Sequence, residues 1–216
     1  MVPVPISVLT GLEATPRTIA AVEVEAPDAQ LDDEAWSLVH ELRLRGVMET
    51  ADPQLADVIV HAGYAVQKST KLVITPAGRA AHAVWARCER ESETEAALQR
   101  AFERFLTLNV ELLQLCSDWQ VKRGGGANDH RDAQYDWSVV QRLVALDERA
   151  GAVARHAGRA VARLSPYRAR LRDARTRVED GEHDWFTSPR IDSYHTVWMQ
   201  WHEDLLLTLG REREPQ

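Results

Sequence analysis

The stretch "VIVHAGYAVQKSTKLVITPAGR", residues 58 to 79, gathers the groups best able to do chemistry. His61 follows an apolar run and precedes Ala62 and Gly63, two small residues. An imidazole is a common axial ligand for haem iron, and a flat cofactor lying against the backbone needs small neighbours. Tyr64, Lys68 and Lys71 lie close by in sequence and could transfer protons. Each also has a plainer reading, His61 as a structural histidine and the lysines as surface charges.

Two further histidines, His195 and His202, share a stripe with Ile191, Trp198, Leu205 and Leu209. Seven residues of helical rise place them about 10 Å apart, too far to share one metal directly. They read either as core histidines satisfied by Asp192, Asp204 or the backbone, or as the lining of a buried polar pocket that holds a cofactor. No HExxH motif and no Cys/His cluster with zinc spacing occurs, so a zinc enzyme has little support. "RHAGRAVARLSPYRARLRDARTR", residues 155 to 177, carries eight arginines with Asp173 as its only acid. Such a run is either a solvated helical face or a source of bidentate clamps for carboxylates.

The elements that position these groups follow from periodicity and punctuation. "LDDEAW" opens a helix, capped by Asp32 or Asp33, with Ala35, Val39, Leu42 and Gly46 on one face. "TADPQLADVIV" offers a second, short helix with Asp52 as cap and Pro53 in the first turn. "KLVI" is strand-like, and "TPAGR" leads into a helix from about Gly78 to Arg90. A long amphipathic helix follows, with Leu98, Phe102, Phe105, Asn109, Leu112 and Cys116 in one stripe. Asn109 is polar on an apolar face and needs a partner, read here as an interhelical hydrogen bond. "VKRGGGANDH" breaks the chain; three more helices are expected beyond it, over 136 to 164, from Pro166, and over 190 to 209. The fold class is therefore mostly α: a degenerate winged-helix N-terminal part with a small β wing near residues 64 to 75, then a C-terminal helical bundle. The division is an N-terminal arm over 1 to 30, the winged-helix part over 31 to 92 and the helical domain over 93 to 216.

DNA reading fits this winged helix poorly. About 25 residues separate Gly46 from Leu72, and a recognition helix of roughly 10 to 12 residues plus its supporting helix barely fits. Gly63 weakens such a helix by roughly 1 kcal/mol relative to alanine. No Arg, Asn or Gln before Gln67 is placed to read base edges. A net charge of −7 also argues, modestly, against non-specific nucleic-acid binding. Composition is that of a globular protein, 44% hydrophobic and 27% charged, and no apolar run reaches the roughly 20 residues that span a bilayer. "MVPVPISVLTGLEATP" lacks the basic region of a signal peptide, and Cys88 and Cys116 form no CxxC motif, so a reducing, cytoplasmic setting is expected.

"LDDEAWSLVHELRLRGV", "TPAGRAAHA", "LTLNVELLQLCSDWQV", "NDHRDAQYDWSVVQRL" and "GEHDWFTSPRIDSYHTVWMQWHEDLLLTLG" resemble a family of actinobacterial proteins, many labelled winged-helix transcriptional regulators. The resemblance runs from about residue 30 to 210, and the shortened segment around His61 resembles the piperazate synthases within that family. The resemblance implies a haem b enzyme that joins the two nitrogens of N5-hydroxy-ornithine into a six-membered ring with loss of water. For that chemistry His61, the only histidine in the remodelled segment, is the axial-ligand candidate, with His82 next in line; Gly63, His195 and His202 are the cofactor-binding candidates; and Lys68, with Lys71 in reserve, and Tyr64 are the catalytic candidates. The Arg-rich run would clamp the substrate carboxylate or the haem propionates. The partners expected are the small-molecule substrate and no membrane, with a homodimer allowed. The competing expectation is a DNA-binding regulator.

Overall fold

The computed structural model describes residues 31–49, 52–87, 92–122 and 124–211. The expected N-terminal arm and Cys88 lie outside them. Asp32 caps α1 (Asp33–Arg45), its carboxylate accepting from the Ala35 amide at 2.8 Å. Strand β1 (Val47–Glu49) follows, then α2 (Pro53–His61), capped by Asp52 through the amides of Gln54 and Leu55. Strands β2 (Ala65–Lys68) and β3 (Lys71–Ile74) form a hairpin, and α3 (Pro76–Arg87) closes the N-terminal part.

The antiparallel sheet has the order β1-β3-β2, so the first strand joins the hairpin to make the wing. Strand β1 was not expected, because three residues are too few to show an alternation. Among the described residues, the nine-residue α2 is the one helix between β1 and β2, where a helix-turn-helix needs two helices joined by a tight turn. The shortened segment is thus a degenerate winged helix. Its core is a cluster of Leu38, Leu42, Ile59, Tyr64, Leu72, Ile74 and smaller residues.

The rest is helical. The long helix α4 (Ser92–Gln120) packs along α5 (Ala133–Ala160), which Asp132 caps. A 3-10 turn (Ala162–Leu164), α6 (Tyr167–Glu179), the single turn α7 (Asp184–Thr187) and α8 (Tyr194–Thr208) complete the bundle. Several boundaries differ from the sequence reading: α5 starts at Ala133 rather than 136, behind its Asp132 cap, and α3 at Pro76 rather than Gly78. The helix expected to reach 164 stops at Ala160, where Gly158 lets the chain fold back: a β-carbon there would stand 2.9 Å from Ser165 Cα. The last helix starts at Tyr194 rather than 190, because the Ser193 hydroxyl caps the Thr196 amide.

Helix α8 is the axis of the bundle. Tyr194, Val197, Trp198, Trp201 and Leu205 are all fully buried, so the helix is covered on most of its circumference rather than along one stripe. The stripe expected on α4 is correct, and Asn109 does what that stripe requires. Its side-chain oxygen accepts from the Trp198 indole N–H at 2.9 Å, tying α4 to α8. No helix among the described residues is long and apolar enough to cross a membrane. The Asn109→Leu variant leaves the buried Trp198 N–H unpaired, and should lose roughly 1 to 3 kcal/mol of stability. Urea denaturation followed by tryptophan fluorescence measures this as a lower midpoint.

Candidate functional site

The segment after α2 is built by the turn "TPAG". The Thr75 hydroxyl donates to the Gly63 carbonyl at 2.6 Å and accepts from the Gly78 amide at 2.9 Å, while the Thr75 amide donates to the Tyr64 carbonyl. Gly78 lies so close that a β-carbon would come within 2.2 Å of the Tyr64 oxygen. Gly63 itself, at φ +76°, adopts the left-handed conformation that ends α2. Together these bonds fix the path of residues 61 to 64 and hold the end of α2 against the start of α3.

On this frame His61 is exposed on the last turn of α2, three residues after Val58, which is itself 46% exposed. The space over Gly63 is open. Lys68 and Lys71 are exposed and face each other as register partners across the hairpin. Their row continues to Glu49 on β1, and the next row on the same sheet face is Val66, Val73 and Val47. Val66 and Val47 are exposed. Tyr64 is different: it is buried beside Trp36, its ring centroid 5.7 Å away, and burial raises its phenol. Its hydroxyl has no hydrogen-bond partner. Tyr64, named with the lysines as a proton-transfer candidate, is thus a core residue, while the lysines are at the surface.

A second constellation joins the N-terminal part to the bundle. Asp204 of α8 has no exposed surface. It accepts from Arg163, from the Tyr167 hydroxyl at 3.0 Å and from Thr208, and His40 Nε2 of α1 lies 3.2 Å away. His40 Nδ1 meets His82 Nε2 of α3 at 2.8 Å, and Arg163 stacks over Trp85. Burial pushes the Asp204 carboxyl up, but His40, Arg163 and Tyr167 pull it further down, so it lies below the ordinary carboxylate value. Both ring nitrogens of His40 are taken by protein, leaving none to act on a substrate. The constellation fastens α1, α3, the 3-10 turn, α6 and α8 to one another. His82, the alternative ligand candidate, is fully buried, with Nε2 against His40 and Nδ1 without a hydrogen-bond partner.

Two clefts flank this fastening. One of about 350 Å³ is lined by His40, Arg45, Tyr167, Arg170, Asp192 and Gln200, among others. The other, of about 650 Å³, includes Val47, Arg79, His195, Met199 and Glu203. Arg45 and Arg170 both bind Asp192, which lines the smaller cleft, and Leu44, Arg45 and Gln200 line both. His195 thus faces the larger cleft, while His202 packs on the rings of Phe102 and Phe105. The larger cleft holds none of His61, Gly63, Tyr64, Lys68 and Lys71, although it touches the end of the valine row at Val47. Asp192 and Asp204, expected to serve the two histidines, take arginines and His40.

The Arg-rich run divides. Arg163, Arg168, Arg170 and Arg175 turn inward to Asp204, Asp147, Asp192 and Asp147, while Arg155, Arg159 and Arg172 are exposed. Its clamps are thus used on internal carboxylates. Sequence reasoning missed this, since the acids lie on other helices. Cys116 is buried, and burial pushes its thiol up to about 12, so it is no nucleophile. No family model, no curated protein and no solved structure matches the chain.

The fastening makes stability depend on pH. Burial first, then the His40 ring and the charge of Arg163, hold the His82 imidazole down to about 3. The unfolded chain takes up that proton below about pH 6.5, and the folded chain refuses it until about 3. Acid between those values therefore favours unfolding, by up to about 1.4 kcal/mol per pH unit. Asp204 adds a loss in the same direction below its ordinary value, about 3.9. Urea denaturation from neutral pH to about 4.5 should show falling stability, and His82→Gln should flatten that slope.

Proposed function

We propose that the chain is a haem b enzyme that closes N5-hydroxy-ornithine to piperazic acid, with His61 as the axial ligand. The observation that carries the reading is the nine-residue α2, the one helix among the described residues between β1 and β2, with His61 exposed on its last turn. The resemblance of this shortened segment to the piperazate synthases supplies the chemistry. The His61 imidazole takes part in no hydrogen bond among the described residues, so either nitrogen can ligate.

The surroundings fit one side of a porphyrin. Val58 offers apolar surface beside the imidazole, and the open backbone at Gly63 admits a flat group. Haem iron, when bound, supplies a Lewis acid that can hold the hydroxylamine and weaken its N–O bond. The reaction forms a bond between the α-nitrogen and the hydroxylated nitrogen and breaks the N–O bond. One proton leaves the α-nitrogen and one accompanies the departing hydroxide, giving water. Lys68 is proposed to donate to the hydroxide and recover the proton from the amine, with Lys71 opposite it in reserve. Holding both ends of the flexible chain removes part of the entropic barrier. Gly63 leaves the backbone open for the cofactor, and His195 and His202 remain proposed cofactor neighbours.

The DNA-reading alternative finds less support. The exposed positions of α2 after its first residue are Gln54, Asp57, Val58 and His61, which include no lysine or arginine to meet phosphate. Purified chain reconstituted with haemin should develop a sharp Soret band and consume N5-hydroxy-ornithine. His61→Ala should lose the ligated spectrum and weaken haem affinity by more than about tenfold. A wild-type protein that takes up no haem sinks this reading, as does an unchanged spectrum in the variant.

A further inference from the structure

We propose that His130, Asp136 and His183 form a binding site for one divalent transition-metal ion, with zinc the best match. The three residues come from separate places. His130 ends the glycine loop after α4, Asp136 lies in the first turn of α5, and His183 stands at the start of α7. One ligand atom from each, a nitrogen from each imidazole and an oxygen from the carboxylate, lies within 4.8 Å of the others. The sequence hid this set, because 47 residues separate Asp136 from His183 (183 − 136) and no motif spans them.

The geometry around the set is that of an oriented ligand group. Asn128 donates to Asp136 Oδ1 at 2.7 Å, and its own oxygen accepts from the His130 amide at 3.1 Å. That leaves Asp136 Oδ2 turned toward His130 Nδ1, 3.1 Å away. A carboxylate whose second oxygen is held by an amide is the outer-shell arrangement that aims a metal ligand. His130 adopts φ +55°, a left-handed conformation uncommon outside glycine, and the three preceding glycines at φ +106°, +88° and +97° let the loop reach it. The Trp119 indole packs against both imidazoles, at 4.5 Å from His130 and 5.4 Å from His183, and the two imidazole centroids lie 4.7 Å apart. A hydrogen bond between His130 and Asp136 alone would need neither the second imidazole nor this shared wall.

The donor set selects the ion. Two imidazoles and one carboxylate suit zinc, cobalt and related first-row ions, and are too nitrogen-rich for calcium or magnesium. Bonds of about 2.0 to 2.2 Å place ligand atoms roughly 3.3 Å apart in a tetrahedral site. Asp136 is buried and fixed, while His183 is exposed on a turn, so His183 is the ligand that closes the remaining distance. Three protein ligands leave one position for water or an anion on the solvent side. The ion would tie the glycine loop to the turn between α6 and α7. The site is independent of the haem reading and uses none of its residues.

The test uses the full chain, freed of metal by a chelator and free of haem. Cobalt should give visible d–d bands that saturate at one ion per chain, zinc should displace it, and zinc should raise the unfolding temperature. His183→Ala, at an exposed position, should keep its far-ultraviolet circular dichroism and bind cobalt at least about tenfold more weakly. His61→Ala and His195→Ala should bind as the parent does. The proposal is overturned if the parent shows no cobalt bands at stoichiometric metal. It is equally overturned if His183→Ala binds as tightly as the parent, or if His61→Ala or His195→Ala abolishes binding.

Discussion

A carboxylate with no exposed surface is tolerable only when its charge is met, and Asp204 is met from every side. Its oxygens engage Arg163, Tyr167, Thr208 and His40, which come from the 3-10 turn, α6, α8 and α1. Removing one member of such a cluster leaves a buried charge uncompensated, a loss of about 3 to 5 kcal/mol. The cluster therefore fixes where the wing part sits on the bundle. Through His82 and Trp85 it also fixes α3, whose first turn carries the Thr75 and Gly78 contacts to Gly63 and Tyr64. The placement of the His61 segment is set, step by step, from the bundle core.

The same principle repeats at Asp147, where Arg168, Arg175 and the Tyr194 hydroxyl converge. Burial raises this carboxyl despite the arginines. Gly151 lies one helical turn further along α5, and a β-carbon there would sit 2.6 Å from Arg168 Nε, so the glycine gives the arginine room to cross. Two buried acids thus absorb much of a run that looks, in sequence, like a cationic surface. Arg155, Arg159, Arg172 and Arg177 of the same run stay exposed.

What stays outward is a sparse set with distinct chemistry. On the wing these are His61, Val58, the exposed valines Val47 and Val66, and the facing lysines Lys68 and Lys71. At the other end, His183 stands beside His130 and Trp119. Helix α2 can expose an unpaired imidazole because the fastening network lies on the far side of α3 and asks nothing of it.

Most helices, the caps Asp32 and Asp52 and the polar demand of Asn109 were legible in the sequence, because these rest on contacts a few residues apart or on the period of one helix; the turn α7 and the Ser193 cap were not. Asp52 before Pro53, the α4 stripe and the hairpin of Lys68 to Lys71 were all legible in that way. The sequence also placed His61 on a segment too short for a reading helix. Strand β1 was not legible, since its three residues gain their bonds from β3, more than twenty positions away. Nor were the partners of Arg163 and Arg168, the burial of Tyr64, or the meeting of His130 with His183. Those depend on which helix faces meet, and a charge carries no mark in sequence of the acid that will neutralise it across the core. Only tertiary packing decided them, because burial makes an unmet charge costly and so selects the pairs that meet.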